Sequence, residues 1–283
     1  MSDNDFDFDL TPVISLAGQE DLDPLVGYIL KANLTEGLTK NDEYRRYAPD
    51  HEKYRGAIEH EIRAFGGNSF LNIFRASGPS YREIVQDVAD KFDVRYPKDA
   101  SIETLEDLIL LKIAGQAYEK MNQKERQEFL DTLGVGSLIS ALPKSLPVAV
   151  VQAAIQASGA SALNFTLIVA NAVSRALLGH GLTFAANASL SRAFSLFAGP
   201  IGWVITGIWT LLDLAGPAYR VTIPCVVHIA MLRRKLAMKT CPKCGARYAR
   251  SQKFCSECGQ KLPDGDGAVA SLPVKADGDE KLS

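Results

Sequence analysis

The sequence predicts a mainly α protein: a multi-helix bundle with a central apolar helical hairpin, followed by a small C-terminal zinc ribbon. Three observations predict it. Apolar residues in the first half recur at helical spacing, and no stretch there sustains the alternation of a strand. Residues 145–212 contain no acid and only two formal charges, Arg175 and Arg192. Beyond them, Cys241, Cys244, Cys255 and Cys258 stand as C-x2-C-x10-C-x2-C.

The pattern divides the chain into an acidic arm over 1–18, a helical domain over 19–134, the hairpin and a final helix over 135–239, the ribbon over 240–262, and a disordered tail over 263–283. In the arm, Leu10, Val13, Ile14 and Leu16 are expected to dock loosely. From Asp21, the spacing of Leu22, Leu25, Val26, Ile29 and Leu30 makes an amphipathic helix. Asn33 to Asp50 reads as a loop. A second helix presents Tyr54, Ile58, Ile62 and Phe65, and Gly66-Gly67 is expected to stop it with positive φ.

Phe70, Ile73 and Phe74 suggest a short third helix. Pro79 suits the first turn of a fourth, with Tyr81, Ile84, Val85, Val88 and Phe92 inward. Ser101 opens a long helix carrying Ile102, Leu105, Leu108, Ile109, Ile113 and Ala117. Glu103, Glu106 and Asp107 read as its acidic opening, favoured by the helix dipole. Asn122 and Glu125 resemble a capping box for the helix that buries Phe129, Leu130 and Leu133.

The apolar hairpin starts with a rod over 145–174, with Gln152, Gln156, Asn171 and Ser174 in one neutral polar stripe. The return rod, 193–212, contains Pro200, Trp203 and Trp209 and no charge. Either rod is long enough to span a bilayer, which needs about 20 apolar residues. Small residues at Ala153, Ala157, Ala198 and Gly202 would let the rods pack closely. Gly216-Pro217 and Pro224 break the pattern before a last helix from Cys225 to Met238, which ends in Arg233-Arg234-Lys235.

The four paired cysteines carry the clearest chemistry. Two thiolates separated by two residues reach one ion from a tight turn, and two such turns complete a tetrahedron. Gly245 and Gly259 each follow the second cysteine of a pair, where positive φ lets the turn close. One structural Zn2+ bound by Cys241, Cys244, Cys255 and Cys258 is expected, with no position open for catalysis. Cys225 reads as a small buried hydrophobe.

No other constellation carries chemistry. His51, His60, His180 and His228 have no ligand or triad spacing, and Glu59-His60-Glu61 reads as exposed helix surface. Gly66-Gly67-Asn68-Ser69 follows a helix and lacks the lysine of a phosphate loop. No enzymatic activity is expected.

The net charge of −2 gives no global pull toward nucleic acid, but its placement is uneven. Asp3, Asp5, Asp7 and Asp9 make the start acidic, whereas Arg233 to Lys261 holds nine cations against Glu257 alone. No basic region followed by an apolar core opens the chain, so no signal peptide is expected. Paired cysteines without a secretory context predict a reducing cytoplasm, with conditional contact at the inner membrane.

Three stretches carry a family resemblance: DFDFDLTPVISLAGQEDLDPLV at 5–26, EIRAFGGNSFLNIFRASGPSYREIVQDVADKF at 61–92, and GPIGWVITGIWTLLDLAGPAYRVTIP at 199–224. The chain resembles the uncharacterised bacterial YaaW-like proteins, sometimes labelled ubiquinol-cytochrome c chaperone-like. The resemblance covers about residues 5–235 and implies an assembly role through that label. It transfers no catalytic residue, and the zinc ribbon is an addition to the family pattern.

Three functional readings follow. In the first, the hairpin associates with an anionic membrane surface or forms a pore, and the ribbon regulates it or docks a protein partner. The Arg233-Arg234-Lys235 run motivates this reading, because retained cations border inserted segments. In the second, the hairpin is buried core in a soluble interaction or assembly module. In the third, less favoured one, Arg247, Arg250, Lys253 and Lys261 of the ribbon bind nucleic acid. An oligomer is compatible with all three.

Overall fold

The computed structural model describes residues 6–32, 37–66, 78–133, 136, 159–182, 218–249, 253–255 and 257–263. The expected third helix around Phe70, the rod over 193–212, the opening of the first rod over 145–158 and the tail all lie outside these residues. The close-packing residues Ala153, Ala157, Ala198 and Gly202 do so too.

The chain forms two units, Met1–Ala237 and Met238–Ser283. In the first, the described elements are α1 (Thr11–Leu16), α2 (Gln19–Lys31), α3 (Gly37–Lys40), α4 (Asp42–Tyr47), a 3-10 turn at His51–Tyr54, α5 (Arg55–Gly66), α6 (Tyr81–Lys91), α7 (Ile102–Lys120), α8 (Gln123–Thr132), α9 (Gly159–Leu178) and α10 (Tyr219–Ala237).

The centre of the bundle is α10. It packs against α9, α2, α5, α6, α7 and α1. Every residue from Val221 to Leu232 is buried, so this stretch is enclosed on all sides, as in a central helix. Pro224 lies inside α10 and does not break it. Nor does the helix start at Cys225; it begins at Tyr219.

The opening residues are less peripheral than their acidity suggests. Leu10 and Ile14 are buried in the common core, together with Val13. The Asp7 carboxylate accepts hydrogen bonds from Leu10 N at 3.1 Å and from Tyr81 N at 2.6 Å. It therefore ties the opening turn to the start of α6; of the four residues expected to dock, Leu10, Val13 and Ile14 are packed into the core, whereas Leu16 is exposed.

Helix ends follow local chemistry. Ser80, not Pro79, opens α6; its hydroxyl accepts from Glu83 N while Glu83 accepts from Ser80 N. Ser101 caps α7 through Thr104 N. Asn122 and Glu125 form the expected capping box of α8. Each such cap is worth about 1 kcal/mol. Gly66 does not end α5 through positive φ: a Cβ there would lie 2.5 Å from Ile84, so glycine permits the close approach of α5 to α6. The expected loop before His51 contains α3 and α4, the latter capped by the Asn41 side chain.

The apolar segment enters this core. In α9, Phe165, Ile168, Val169 and Val173 are fully buried, and the helix packs on α10, α2 and α7. Within the polar stripe, Asn171 and Ser174 turn back on their own helix end. Ser174 Oγ donates to His180 O at 3.0 Å, and Asn171 Oδ1 accepts from Leu182 N at 3.0 Å. Lys31 donates to Leu177 O, placing a cation at the negative end of the α9 dipole. Among the described residues, no helix is long and apolar enough to cross a membrane.

Candidate metal centre

The second unit is built from two copies of one small device. Strands β1 (Met238–Thr240) and β2 (Arg247–Ala249) pair antiparallel, with Lys239 opposite Tyr248. Between them the first cysteine turn closes through Cys241 N to Ala246 O at 2.8 Å and Gly245 N to Cys241 O at 2.9 Å. The second repeats it, with Cys255 N to Gln260 O at 2.8 Å and Gly259 N to Cys255 O at 3.0 Å. Gly245 and Gly259 take φ of +75° and +67°, the conformation this turn demands and side chains resist. Cys241, Tyr248, Cys255 and Leu262 form the unit's own buried cluster.

The turns bring the Sγ atoms of Cys241, Cys244, Cys255 and Cys258 within 4.8 Å of one another. Cys241 and Cys258 are 3.8 Å apart at sulfur, and Cys244 and Cys255 are 3.6 Å apart. Zn–S bonds of about 2.3 Å in a tetrahedron require sulfurs about 3.8 Å apart. The donor set and its spacing therefore fit one tetrahedral thiophilic ion.

Backbone N–H groups of Cys244 and Lys243 point at Cys241 and lower its thiol to about 7. The Ala246 N–H lowers Cys244, but hydrogen bonding with Cys258 and the other thiols outweighs it and raises that thiol to about 12. A bound cation takes thiolate donors, so binding would release thiol protons.

Cys225, the fifth cysteine, is buried in α10, and burial holds its thiol well above the ordinary value. It takes no part in this centre.

The helical unit holds polar clusters that residue spacing does not reveal. Arg233 of α10 grips Glu106 of α7, with Nε 3.0 Å from Oε2 and Nη2 3.1 Å from Oε1. Tyr81 donates to the same carboxylate at 2.9 Å, and Arg233 Nη2 also donates to Asp9 O at 2.6 Å. Burial lifts Glu106 above the usual carboxylate range, and Arg233 pulls it back. Arg234 pairs with Asp107, and Lys235 with Asp21. Glu106 and Asp107 are thus ion-pair partners and not merely an acidic helical opening, and the basic run that ends α10 is used inside the protein.

Glu59 and Glu61 are also buried, Glu59 accepting from Thr11 Oγ1 at 2.6 Å, while His60 between them is exposed. His51 is clamped by the Tyr54 hydroxyl and by Asp23, whose Oδ1 is 3.1 Å from Nε2. This resembles a relay, but burial raises Tyr54 to about 12, which leaves its hydroxyl a poor nucleophile at neutral pH. His228 is buried in α10, and His180 is exposed.

Residues 237–262 match a zinc-ribbon domain. A UPF0174 protein of Helicobacter pylori is 39% identical over 206 residues, 72% of this chain and 99% of the relative. Another from that species is 37% identical over 209 residues, 73% of this chain and 100% of the relative, which leaves 27% of this chain without a counterpart in it. UPF0174 protein YaaW of Escherichia coli is 30% identical over 213 residues, 73% of this chain and 84% of the relative. No solved structure matches the chain. Relatives 30–39% identical and matched over most of their own length make the chain a member of the UPF0174 family, and it carries a zinc-ribbon match at its four-cysteine unit.

Proposed function

We propose that the chain is a non-enzymatic interaction module: a helical body that serves assembly, with a ribbon, stapled by one structural Zn2+, that docks another macromolecule. One observation carries the reading. All four donors that could hold the ion are cysteine sulfurs, within 4.8 Å of one another, so a bound ion has no position left for a substrate. Such an ion orders loops and presents a surface. The enclosure of α9 and the internal pairing of Arg233, Arg234 and Lys235 support a body held together as core.

In-cell cross-linking of the full chain, compared with Cys258→Ser, tests the docking role. Partners captured by the native chain and lost with the metal support it. The same partners in both, or none in either, overturns it.

Association with an anionic bilayer is a second reading. It rests on the uncharged run over 193–212, long enough to cross a hydrocarbon core of about 30 Å. Flotation of the purified chain with phosphatidylglycerol liposomes tests it. Protein that stays at the bottom of the gradient and releases no entrapped dye removes it.

A further inference from the structure

The ribbon exposes an aromatic side chain that its fold does not use. Phe254 is 61% exposed, while its neighbour Cys255 is buried. It forms an antiparallel bridge with Lys261, whose neighbour Leu262 is buried, and Leu262 N donates to Lys253 O at 2.9 Å. Residues directly opposite on an antiparallel pair put their side chains on one face. Phe254 and Lys261 therefore stand together on the outer face, opposite the small core of Tyr248 and Leu262. Lys253 and Lys243 are exposed as well.

The charge of the unit is one-sided. Residues 238–263 carry Lys239, Lys243, Arg247, Arg250, Lys253 and Lys261 against Glu257. Four thiolates around one divalent ion contribute −2, which leaves the loaded unit at +3. A lone exposed phenylalanine needs no explanation in itself. One set in register with a lysine, on a cationic module, has the two elements of a single-strand platform: a flat ring for a base and an ammonium group for the adjoining phosphate. A bilayer surface suits it less, because Phe254 is the one large exposed hydrophobic side chain among the described residues of this unit.

We propose that the face of the ribbon formed by Phe254 and Lys261 binds single-stranded nucleic acid, the base stacking on Phe254 and the phosphate pairing with Lys261. This rests on the docking reading and names the partner class. It differs from attraction by charge alone in requiring an aromatic ring at position 254.

Fluorescence anisotropy with labelled dT15 and U15 on the zinc-loaded full chain tests it, each variant being checked for retained zinc. Phe254→Ala and Phe254→Leu are expected to weaken binding about tenfold or more, while Phe254→Trp keeps it. Lys261→Gln should reduce the slope of log affinity against log salt by about 0.7. Binding of Phe254→Leu equal to the native chain would leave only polyelectrolyte attraction and overturn the proposal. So would equal binding of polyglutamate, or capture by phosphatidylglycerol vesicles with none by the oligonucleotides. If zinc-loaded chain ignores both oligonucleotides while the cross-linked partners still depend on Cys258, this inference fails and the docking reading survives. If the partners are indifferent to Cys258, it is the docking reading that fails.

Discussion

Arg233 and Glu106, 127 residues apart in sequence, meet as a two-pronged buried ion pair that locks the central helix α10 to α7. Their side chains are 11% and 3% exposed, so neither charge has water to fall back on. Glu106→Ala or Arg233→Ala strands the other charge and should cost about 3–5 kcal/mol. Replacing both, as Glu106→Leu with Arg233→Met, should cost much less, since no lone charge then remains. Urea denaturation of the full chain, read as the change in midpoint at constant slope, measures both effects.

His228 should make the body acid-sensitive. Its Nε2 lies 2.9 Å from Asp21 O, which can only accept, so Nε2 carries the hydrogen and Nδ1 is an unprotonated acceptor. Burial, more than Lys235 and against Asp21, lowers its pKa from 6.5 to about 4. The unfolded chain takes up that proton first, near 6.5. The stabilisation is therefore full above that pH and is lost as pH falls toward 4, to a total of about 3 kcal/mol. His228→Gln keeps a donor for Asp21 O and does not titrate. Chemical denaturation at several pH values should show a flatter acid limb for it than for the native chain.

Helix α9 should behave as core. Phe165 is fully buried between helices, so Phe165→Ala should destabilise the body by about 3–5 kcal/mol. Arg175→Ala, at an exposed position on the same helix, should fall within about 0.5 kcal/mol of the native chain. Thermal unfolding followed by circular dichroism checks the contrast. An unchanged Tm for Phe165→Ala would mean that α9 leaves the bundle.

Metal removal should act on the second unit alone. One zinc per chain is expected by elemental analysis, and none should remain in Cys241→Ser with Cys258→Ser. A strong chelator should abolish the protection of Cys241 and Cys255 from alkylation. The helical circular dichroism should stay nearly constant, because the ribbon adds only short strands. Collapse of the helical signal on chelation would refute the independence of the two units.

Much of this was legible in the residues. The caps at Ser101 and Asn122, the face of α2 and the metal turns at Gly245 and Gly259 depend on neighbours a few positions away, and local spacing encodes them. At the acidic start charge argues for solvent unless a partner is known; Asp7 has one in Tyr81 N. The same holds for Glu106, whose exposed-looking place near the start of α7 becomes interior when Arg233 arrives. Gly66 reads as a helix stop, but its role depends on the distance to Ile84.

Sequence alone determined the helical class, the family and the four cysteines placed to hold a metal ion, since periodicity, similarity and cysteine spacing are properties of one strand of chain. Only the tertiary structure decided that Arg233, Arg234 and Lys235 neutralise Glu106, Asp107 and Asp21, and that α9 is wrapped by other helices. The physical reason is that a charge or an apolar face has no fixed meaning until its dielectric surroundings are built, and segments far apart in the chain build them.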